Sequence, residues 1–399
     1  MPVRVVLAVF LLGVALRSSA VAQKADPAAA LKQGRERLLA GEHAEAVQLL
    51  TKAIELDPSN IEAYLFRANA YVEQMEFEKA IADCTAALKL NPKSGRALAI
   101  RGYARAGNRD FKMALEDCKA AVALDPQNPD YRVFRALTLV ELGEFDKAIE
   151  DCEEALRLRS TSVDALECRC RALLGKEEYD RALADASKGL QLSPDHPRLL
   201  LDRGQAFYGK GNFRASLQDL NRSLELLPEN PEALVARGRT RHEMEEIEKA
   251  IDDYNQAIKL MPEYAEAFCR RGMAWHAKKR YDRAMSDFNE AIRLVPVYGE
   301  AYNFRAATRL AMNDLDKALA DANEAVRLDP KNAEAVFHRG LIQHRRGDKK
   351  AALADLTAAI ALLPEYGEAY EARAEVYEAS GEKDKAEADR KKAKEINSQ

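Results

Sequence analysis

The sequence predicts an all-α protein built as a tandem array of helix–turn–helix repeats, and three observations support this. The chain from Pro27 to its end repeats with a period of 34 residues, without insertion or deletion. In the period at 265–298, small and aromatic residues recur at helical spacing in two segments, the first containing Trp275 and the second Phe288. A proline near the end of the period, Pro296, closes the second segment.

Eleven units of this length fit the chain. Such an array grows in one dimension and needs no single central core, so a length of 399 residues does not require several unrelated domains. The predicted array covers 27–399. Its units begin at residues 27, 61, 95, 129, 163, 197, 231, 265, 299, 333 and 367.

Each unit contains the residues that begin, end and pack two helices. Asp26 is placed to cap the first helix, with Pro27 at its first position. Position 8 of every unit is small, and position 20 is alanine everywhere except Ser216, which predicts close approach of the paired helices. Turns often carry glycine or asparagine, as at Gly41 and Asn313. Proline at position 32 of nine units stops the second helix.

The first 22 residues fall outside the array and have the pattern of a cleaved secretory signal. Arg4 gives a positive start, Val5–Leu16 is an apolar run, and Ala-Val-Ala at 20–22 precedes Gln23. The run is shorter than the roughly 20 residues that a membrane-spanning helix needs. We therefore expect residues 1–22 to be a signal peptide and the protein to be periplasmic or secreted, without membrane insertion after cleavage. An uncleaved anchor is the alternative.

The charge balance argues against a nucleic-acid partner. The chain has 61 Lys and Arg against 65 Asp and Glu, a formal net charge of −4. A protein that binds nucleic acid through its phosphates usually has a basic domain. We therefore expect no nucleic-acid partner.

Export makes the six cysteines relevant. Cys84, Cys118 and Cys152 occupy position 24 of three consecutive units. Neighbouring helices pack about 8–10 Å apart, whereas a disulfide needs Cα atoms within about 7 Å. We expect this series to stay reduced as small buried residues, and only a bond from Cys152 to Cys168 or Cys170 remains open.

Arginine at position 7 and aspartate at position 23 occur together in ten of the eleven units. The first unit lacks both, with Gln33 and Leu49 in their places. Pairing between neighbouring units would leave unmatched residues, whereas pairing within a unit leaves none. Because position 7 lies near the helix-pair interface, we interpret each pair as structural. A charged groove for a ligand is the alternative.

The period of 34 residues with these small, aromatic and proline positions resembles the tetratricopeptide repeat family. The resemblance implies a right-handed superhelical solenoid whose first helices line a concave groove, with positions 2, 5, 9 and 12 commonly contacting ligand. For apolar residues at position 5, a core role is the alternative. Family members that bind chaperones carry a clamp of lysine and asparagine. Asn69 fits it, but position 5 of that unit is Leu65, so the clamp is absent.

Mapping the family's ligand positions onto this sequence predicts a groove that is apolar in the first units, mixed in the middle and acidic in unit eleven. His242 and His276 share position 12 of adjacent units, but two ligands are too few for a metal site, so we expect neither metal nor cofactor. The candidate groove residues are Asn69, Tyr103, Arg171, Gln205, Tyr208, Arg239, His242, Met273 and His276.

No nucleophile–base constellation or glycine-rich phosphate loop is evident, which argues against an enzyme. The sequence therefore predicts a non-catalytic scaffold that binds a peptide or protein partner in the groove. A structural or assembly component of the cell envelope is the alternative, and a measurement of self-association distinguishes the two.

Overall fold

The computed structural model describes residues 26–398, which form 22 α-helices and no strand. The predicted signal peptide at 1–22 and the cleavage point before Gln23 lie outside the described residues. The helices are α1 (Pro27–Leu39), α2 (His43–Leu56), α3 (Ile61–Glu73), α4 (Phe77–Leu90), α5 (Gly95–Gly107), α6 (Phe111–Leu124), α7 (Pro129–Glu141), α8 (Phe145–Leu158), α9 (Val163–Gly175), α10 (Tyr179–Leu192), α11 (Pro197–Gly209), α12 (Phe213–Leu226), α13 (Pro231–Glu243), α14 (Ile247–Leu260), α15 (Ala265–Ala277), α16 (Tyr281–Leu294), α17 (Gly299–Ala311), α18 (Leu315–Leu328), α19 (Ala333–Arg345), α20 (Lys349–Leu362), α21 (Gly367–Ala379) and α22 (Lys383–Asn397).

The starts of the first helices coincide with the starts of the predicted units. Every odd-numbered helix begins at the first residue of a predicted unit, from Pro27 to Gly367. The Asp26 side chain accepts a hydrogen bond from the Ala28 backbone N–H at 3.0 Å, so the predicted cap is present. It satisfies one of the amide groups that a helix start leaves without an intrahelical partner.

The turn inside each unit has the same backbone conformation, with a positive φ at position 15. Glycine or asparagine supplies it in six units, as the sequence predicted for such turns. In the other five units a residue with a larger side chain takes the same left-handed conformation, which is strained for most residues. These five are Met75, Arg109, Glu177, Glu245 and Lys279.

The helices group into two compact units, one ending at Cys168 and one beginning at Arg169. The described part of the first is 26–168, called the N-terminal unit below, and that of the second is 169–398, the C-terminal unit. Within the N-terminal and the C-terminal unit, the first helix of a repeat packs on the second helix of the same repeat. That second helix packs in turn on the first helix of the next repeat.

First helices of neighbouring repeats also contact each other inside a unit, as α3 does with α5 and α11 with α13. Among the described residues of either unit, no two second helices are in contact. The first helices are therefore crowded together on the inner side of each unit, and the second helices are spread along the outer side. This confirms, unit by unit, an all-α repeat solenoid.

Small residues at position 8 make the close helix packing possible. A Cβ atom at Gly238 would lie 2.5 Å from Tyr254 Cε1, and one at Gly272 would lie 2.7 Å from Phe288 Cε1. Both rings are fully buried. The exception at position 20 also has a reason, because the Ser216 hydroxyl is 2.9 Å from the Thr240 hydroxyl in the interior.

The cysteines are packed as reduced side chains. Cys84 and Cys118 are completely buried, and burial raises the pKa of each thiol to about 12. No disulfide is present among residues 26–398, so the bond left open for Cys152 is not formed. The predicted burial of the series is confirmed, and its reduced state stays a prediction.

Candidate protein-interaction surface

All ten predicted arginine–aspartate pairs form, each between two residues of the same repeat. In the first of them, Arg67 Nε donates to Asp83 Oδ2 at 2.8 Å and Nη2 donates to Oδ1 at 2.7 Å. Every aspartate is buried, so an unpaired carboxylate there would be costly. The pairs are Arg67–Asp83, Arg101–Asp117, Arg135–Asp151, Arg169–Asp185, Arg203–Asp219, Arg237–Asp253, Arg271–Asp287, Arg305–Asp321, Arg339–Asp355 and Arg373–Asp389.

Sequence reasoning missed a second partner of these arginines. The remaining guanidinium nitrogen of several donates to position 25 of the preceding unit, as Arg67 does to Thr51 at 2.9 Å and Arg271 to Asn255 at 2.7 Å. Threonine or asparagine recurring at position 25 was the available signal. Where both ends of the guanidinium are bonded inside the chain, the arginine links neighbouring repeats, which supports the structural interpretation of these pairs.

The inner face of the N-terminal unit contains an open groove of about 710 Å³, formed by α3, α5, α7 and the start of α9. It includes the predicted residues Asn69 and Tyr103. The lining residues are Asn69, Val72, Glu73, Arg96, Ala99, Ile100, Tyr103, Asn128, Asp130, Tyr131, Val133, Phe134, Leu137, Arg159, Asp164 and Glu167.

The floor of this groove is apolar and its rim is charged. Tyr103 is 38% exposed, and its ring centroid lies 5.3 Å from that of Phe134. Arg96 on the rim donates to Glu62 at 2.8 Å. Arg159 donates to Asp130, which occupies the same position of its repeat as Arg96. Exposed rings over a buried aliphatic floor form a surface that can hold apolar side chains.

The predicted residues of the C-terminal unit lie in a more closed arrangement. Gln205, Tyr208 and Arg239 line a smaller cavity of about 210 Å³. The Arg239 guanidinium stacks over the Tyr208 ring at 4.6 Å, and the Tyr208 hydroxyl donates to Glu243 at 3.2 Å. Burial raises the pKa of the Tyr208 hydroxyl. Much of the hydrogen-bonding and stacking capacity of these side chains is therefore used internally.

An unpredicted arginine is central to this inner face. Arg270, at position 6 of its unit, donates to Glu300 at 2.7 Å, and its Nε lies 3.6 Å from a carboxylate oxygen of Glu266. Its guanidinium nitrogen also lies 3.5 Å from the sulfur of Met273, a predicted groove residue. The sequence signal for this cluster was glutamate at position 2 in consecutive units.

The predicted histidines His242 and His276 are both half-buried, and His276 also contacts a hydroxyl group of the chain. His276 Nδ1 lies 2.8 Å from the Thr308 hydroxyl, and burial lowers the pKa of both His276 and His242. His338, which was not predicted, lies 2.8 Å from Asn303, and burial lowers its pKa to about 4. These imidazoles are therefore neutral at pH 7.

Two further outcomes concern the predicted groove. At position 5, Leu65 and Leu201 are at most 1% exposed, which favours the core alternative for them, whereas Val133, 2% exposed, lies in the floor of the groove. Leu65 packs against residues of α4 such as Cys84, which shows why an apolar position 5 is turned inward. Arg171 is half-buried on α9.

Neither a metal site nor a transmembrane helix is found in the part of the chain that the structure describes. No group of three or more His, Cys, Asp or Glu side chains within 26–398 is arranged to hold a metal ion. No helix in the same range combines the length and apolar character needed to cross a membrane.

Comparison with known families identifies the repeats. Models described as tetratricopeptide repeat or TPR repeat match 37–102, 101–163, 133–197, 170–241, 238–279, 265–297 and 305–377. Together these matches span 37–297 and 305–377. The chain belongs to the tetratricopeptide repeat family. No curated protein matches the sequence.

Solved structures show the same fold at low sequence identity. The crystal structure of the APC/C hetero-tetramer Cut9–Hcn1 is similar with a TM-score of 0.54 and 14% identity, covering 92% of this chain and 86% of that chain. A tetratricopeptide repeat protein from Parabacteroides merdae ATCC 43184 has a TM-score of 0.50 and 21% identity, covering 62% of this chain and 98% of that chain.

Proposed function

We propose that this protein is a non-catalytic scaffold that binds a segment of a partner protein on the inner face of its N-terminal unit. The observation that carries the proposal is the 710 Å³ groove, where Tyr103 and Phe134 stand over an aliphatic floor. Tetratricopeptide repeat proteins are generally protein-interaction scaffolds, which supports the same conclusion.

The shape of the groove favours a chain segment over a compact small molecule. It extends across three successive first helices, and polar residues such as Asn69 and Asn128 alternate with apolar ones along it. An extended peptide offers backbone hydrogen-bonding groups and side chains at regular spacing, so it can use both kinds of lining.

The test is site-specific photo-crosslinking in the native host. A benzoylphenylalanine residue placed at Tyr103 should crosslink to one or a few partner proteins. The matched control places it at Met113, which is 44% exposed on the outer helix α6, and should not give the same products. Equal products at both positions, or crosslinking only to copies of the same chain, would contradict the proposal. The second of these results would favour an assembly component of the envelope.

We also propose that the protein is exported after cleavage behind Ala22. The support is the Ala-Val-Ala sequence that follows an apolar run. N-terminal sequencing of protein from the native host should find Gln23 first. A cytosolic protein that still begins with Met1 would contradict both the cleavage and the compartment.

A further inference from the structure

The groove of the N-terminal unit carries an excess of carboxylates. Its lining contains four carboxylates, from Glu73, Asp130, Asp164 and Glu167, and two guanidinium groups, from Arg96 and Arg159. The formal net charge of the lining is therefore −2. Over a low-dielectric apolar floor, such a charge acts more strongly on a bound group than it does in open water.

The two guanidinium groups have partners within the chain. Arg96 donates to Glu62 and stacks over the Phe66 ring at 4.7 Å, and Arg159 donates to Asp130. Neither is therefore free to bind an anionic partner. Asp164, at the start of α9, is exposed, and no ion-pair partner for it is found among the described residues. The same holds for Glu73.

The aromatic rings of the groove also favour a positively charged partner. Tyr103 and Phe134 present rings to the groove, and the face of an aromatic ring attracts lysine and arginine side chains. The chain itself makes this contact next to the groove, where Arg96 stacks over Phe66. The apolar floor formed by Ile100 and Val133 needs an apolar group to cover it.

We propose that the partner segment is extended, with an aliphatic or aromatic residue flanked by lysine or arginine. This deepens the proposed function and rests on it. The apolar side chain lies between Tyr103 and the floor at Val133, and the flanking cations face Glu73 and Asp164. An acidic or phosphorylated segment meets like charge at both carboxylates and is excluded.

The test is fluorescence anisotropy of the full chain with three labelled nine-residue peptides. The first alternates lysine with leucine and phenylalanine, the second has glutamate in place of lysine, and the third has serine in place of the apolar residues. The first should bind at least tenfold more tightly than either of the others. Its affinity should fall as salt is raised, because exposed charges are screened.

Substitutions test whether the preference for the lysine peptide arises in the groove. The double variant Glu73→Gln with Asp164→Asn should remove most of the preference for the lysine peptide over the glutamate peptide. The matched control, Glu78→Gln with Glu116→Gln, neutralises two exposed carboxylates on the outer helices α4 and α6 and should leave the preference unchanged. Tyr103→Ala should weaken binding of the lysine peptide about tenfold.

The outcomes separate this inference from the proposed function. Equal binding of lysine and glutamate peptides, with both weakened by Tyr103→Ala, overturns the charge preference and leaves the groove as a binding site. Equal binding of the first and third peptides overturns the apolar anchor. Absence of binding by all three overturns this inference. If the Tyr103 crosslinks are then also missing, the proposed function fails with it.

Discussion

The inner faces of the two units are built on the same repeat but use their side chains differently. In the N-terminal unit the first helices leave an open groove in which Tyr103 is 38% exposed. In the C-terminal unit the corresponding surface is largely closed by internal contacts, such as Arg239 over Tyr208 and Arg270 with Glu300. A side chain at the same repeat position is therefore exposed in a groove in one unit and bonded within the chain in the other.

The difference shows which features belong to the frame. The arginine–aspartate pairs, the small position 8 and the turn at position 15 are the same in both units. Positions 6, 9 and 12 of the first helices vary along the array. Binding is expected at variable positions that are not already bonded to one another, and these lie in the N-terminal unit.

The largest expected effect tests the shared frame. Arg67→Ala in the N-terminal unit and Arg203→Ala in the C-terminal unit each leave one buried aspartate without its partner, Asp83 or Asp219. Each change should lower the free energy of unfolding by about 3–5 kcal/mol, measured by urea denaturation.

Removing the aspartate as well should recover much of that loss, because no uncompensated buried charge remains. The double variants are Arg67→Ala with Asp83→Ala and Arg203→Ala with Asp219→Ala. A large loss in only one unit would show that the frame is not common to both.

The second effect contrasts the two inner faces. Arg270→Ala should cost about 3 kcal/mol, because it leaves Glu300 half-buried without its cation and leaves Glu266 with only the more distant Arg239. Arg96→Ala, in the N-terminal unit, should cost less than about 1 kcal/mol, because the Arg96 side chain is 39% exposed and its partner Glu62 is 52% exposed. Similar costs in urea denaturation would contradict the contrast between a closed and an open face.

The third effect is a pH dependence confined to the C-terminal unit. Burial lowers the pKa of His338 to about 4 in the folded chain, against about 6.5 when exposed. The unfolded chain therefore takes up a proton first as the pH falls. The free energy of unfolding should drop between about pH 6.5 and pH 4, by up to about 3 kcal/mol.

His338→Gln should remove this contribution, and the difference between the two proteins in urea denaturation across pH 4–7 measures it. An unchanged slope in the His338 variant would show that this imidazole is solvated.

The smallest effect concerns the turns. Met75 and Glu245 adopt φ values of 59° and 61°, which glycine tolerates better. Met75→Gly and Glu245→Gly should each stabilise the protein, by about 0.5–1 kcal/mol in thermal unfolding. Gly143→Ala, with φ at 73° in an equivalent turn, should destabilise it by a similar amount. Destabilisation by both glycine substitutions would show that the native side chains make compensating contacts.

The repeat frame was predictable from sequence because its signals are local. Pro27 and Asp26 mark a helix start by their own chemistry. The joint absence of arginine and aspartate in unit one, where Gln33 and Leu49 stand instead, determined the pairing. The groove was less predictable. Leu65 at position 5 is as apolar as a groove residue would be, and only its packing against α4 shows that it faces inward.

The contacts that side chains of the inner face make with one another could not be predicted from the sequence either. Arg239 looked like a ligand-binding residue, but its stacking on Tyr208 depends on the spacing of α11 and α13. Arg270 was missed because position 6 is buried in several other units, as at Ile100. Contacts between side chains of different repeats can be identified only from the three-dimensional arrangement of the helices.

Hydrogen–deuterium exchange of the full chain, with and without the saturating peptide of lysine, leucine and phenylalanine, tests the central claim most directly. Bound peptide should slow amide exchange in 61–73, 95–107 and 129–141, because ligand binding suppresses local opening of the helices that it contacts. Exchange in the first helices of the C-terminal unit should be unchanged. Slower exchange confined to 197–377 would contradict the claim, because it would place peptide binding on the closed inner face of the C-terminal unit.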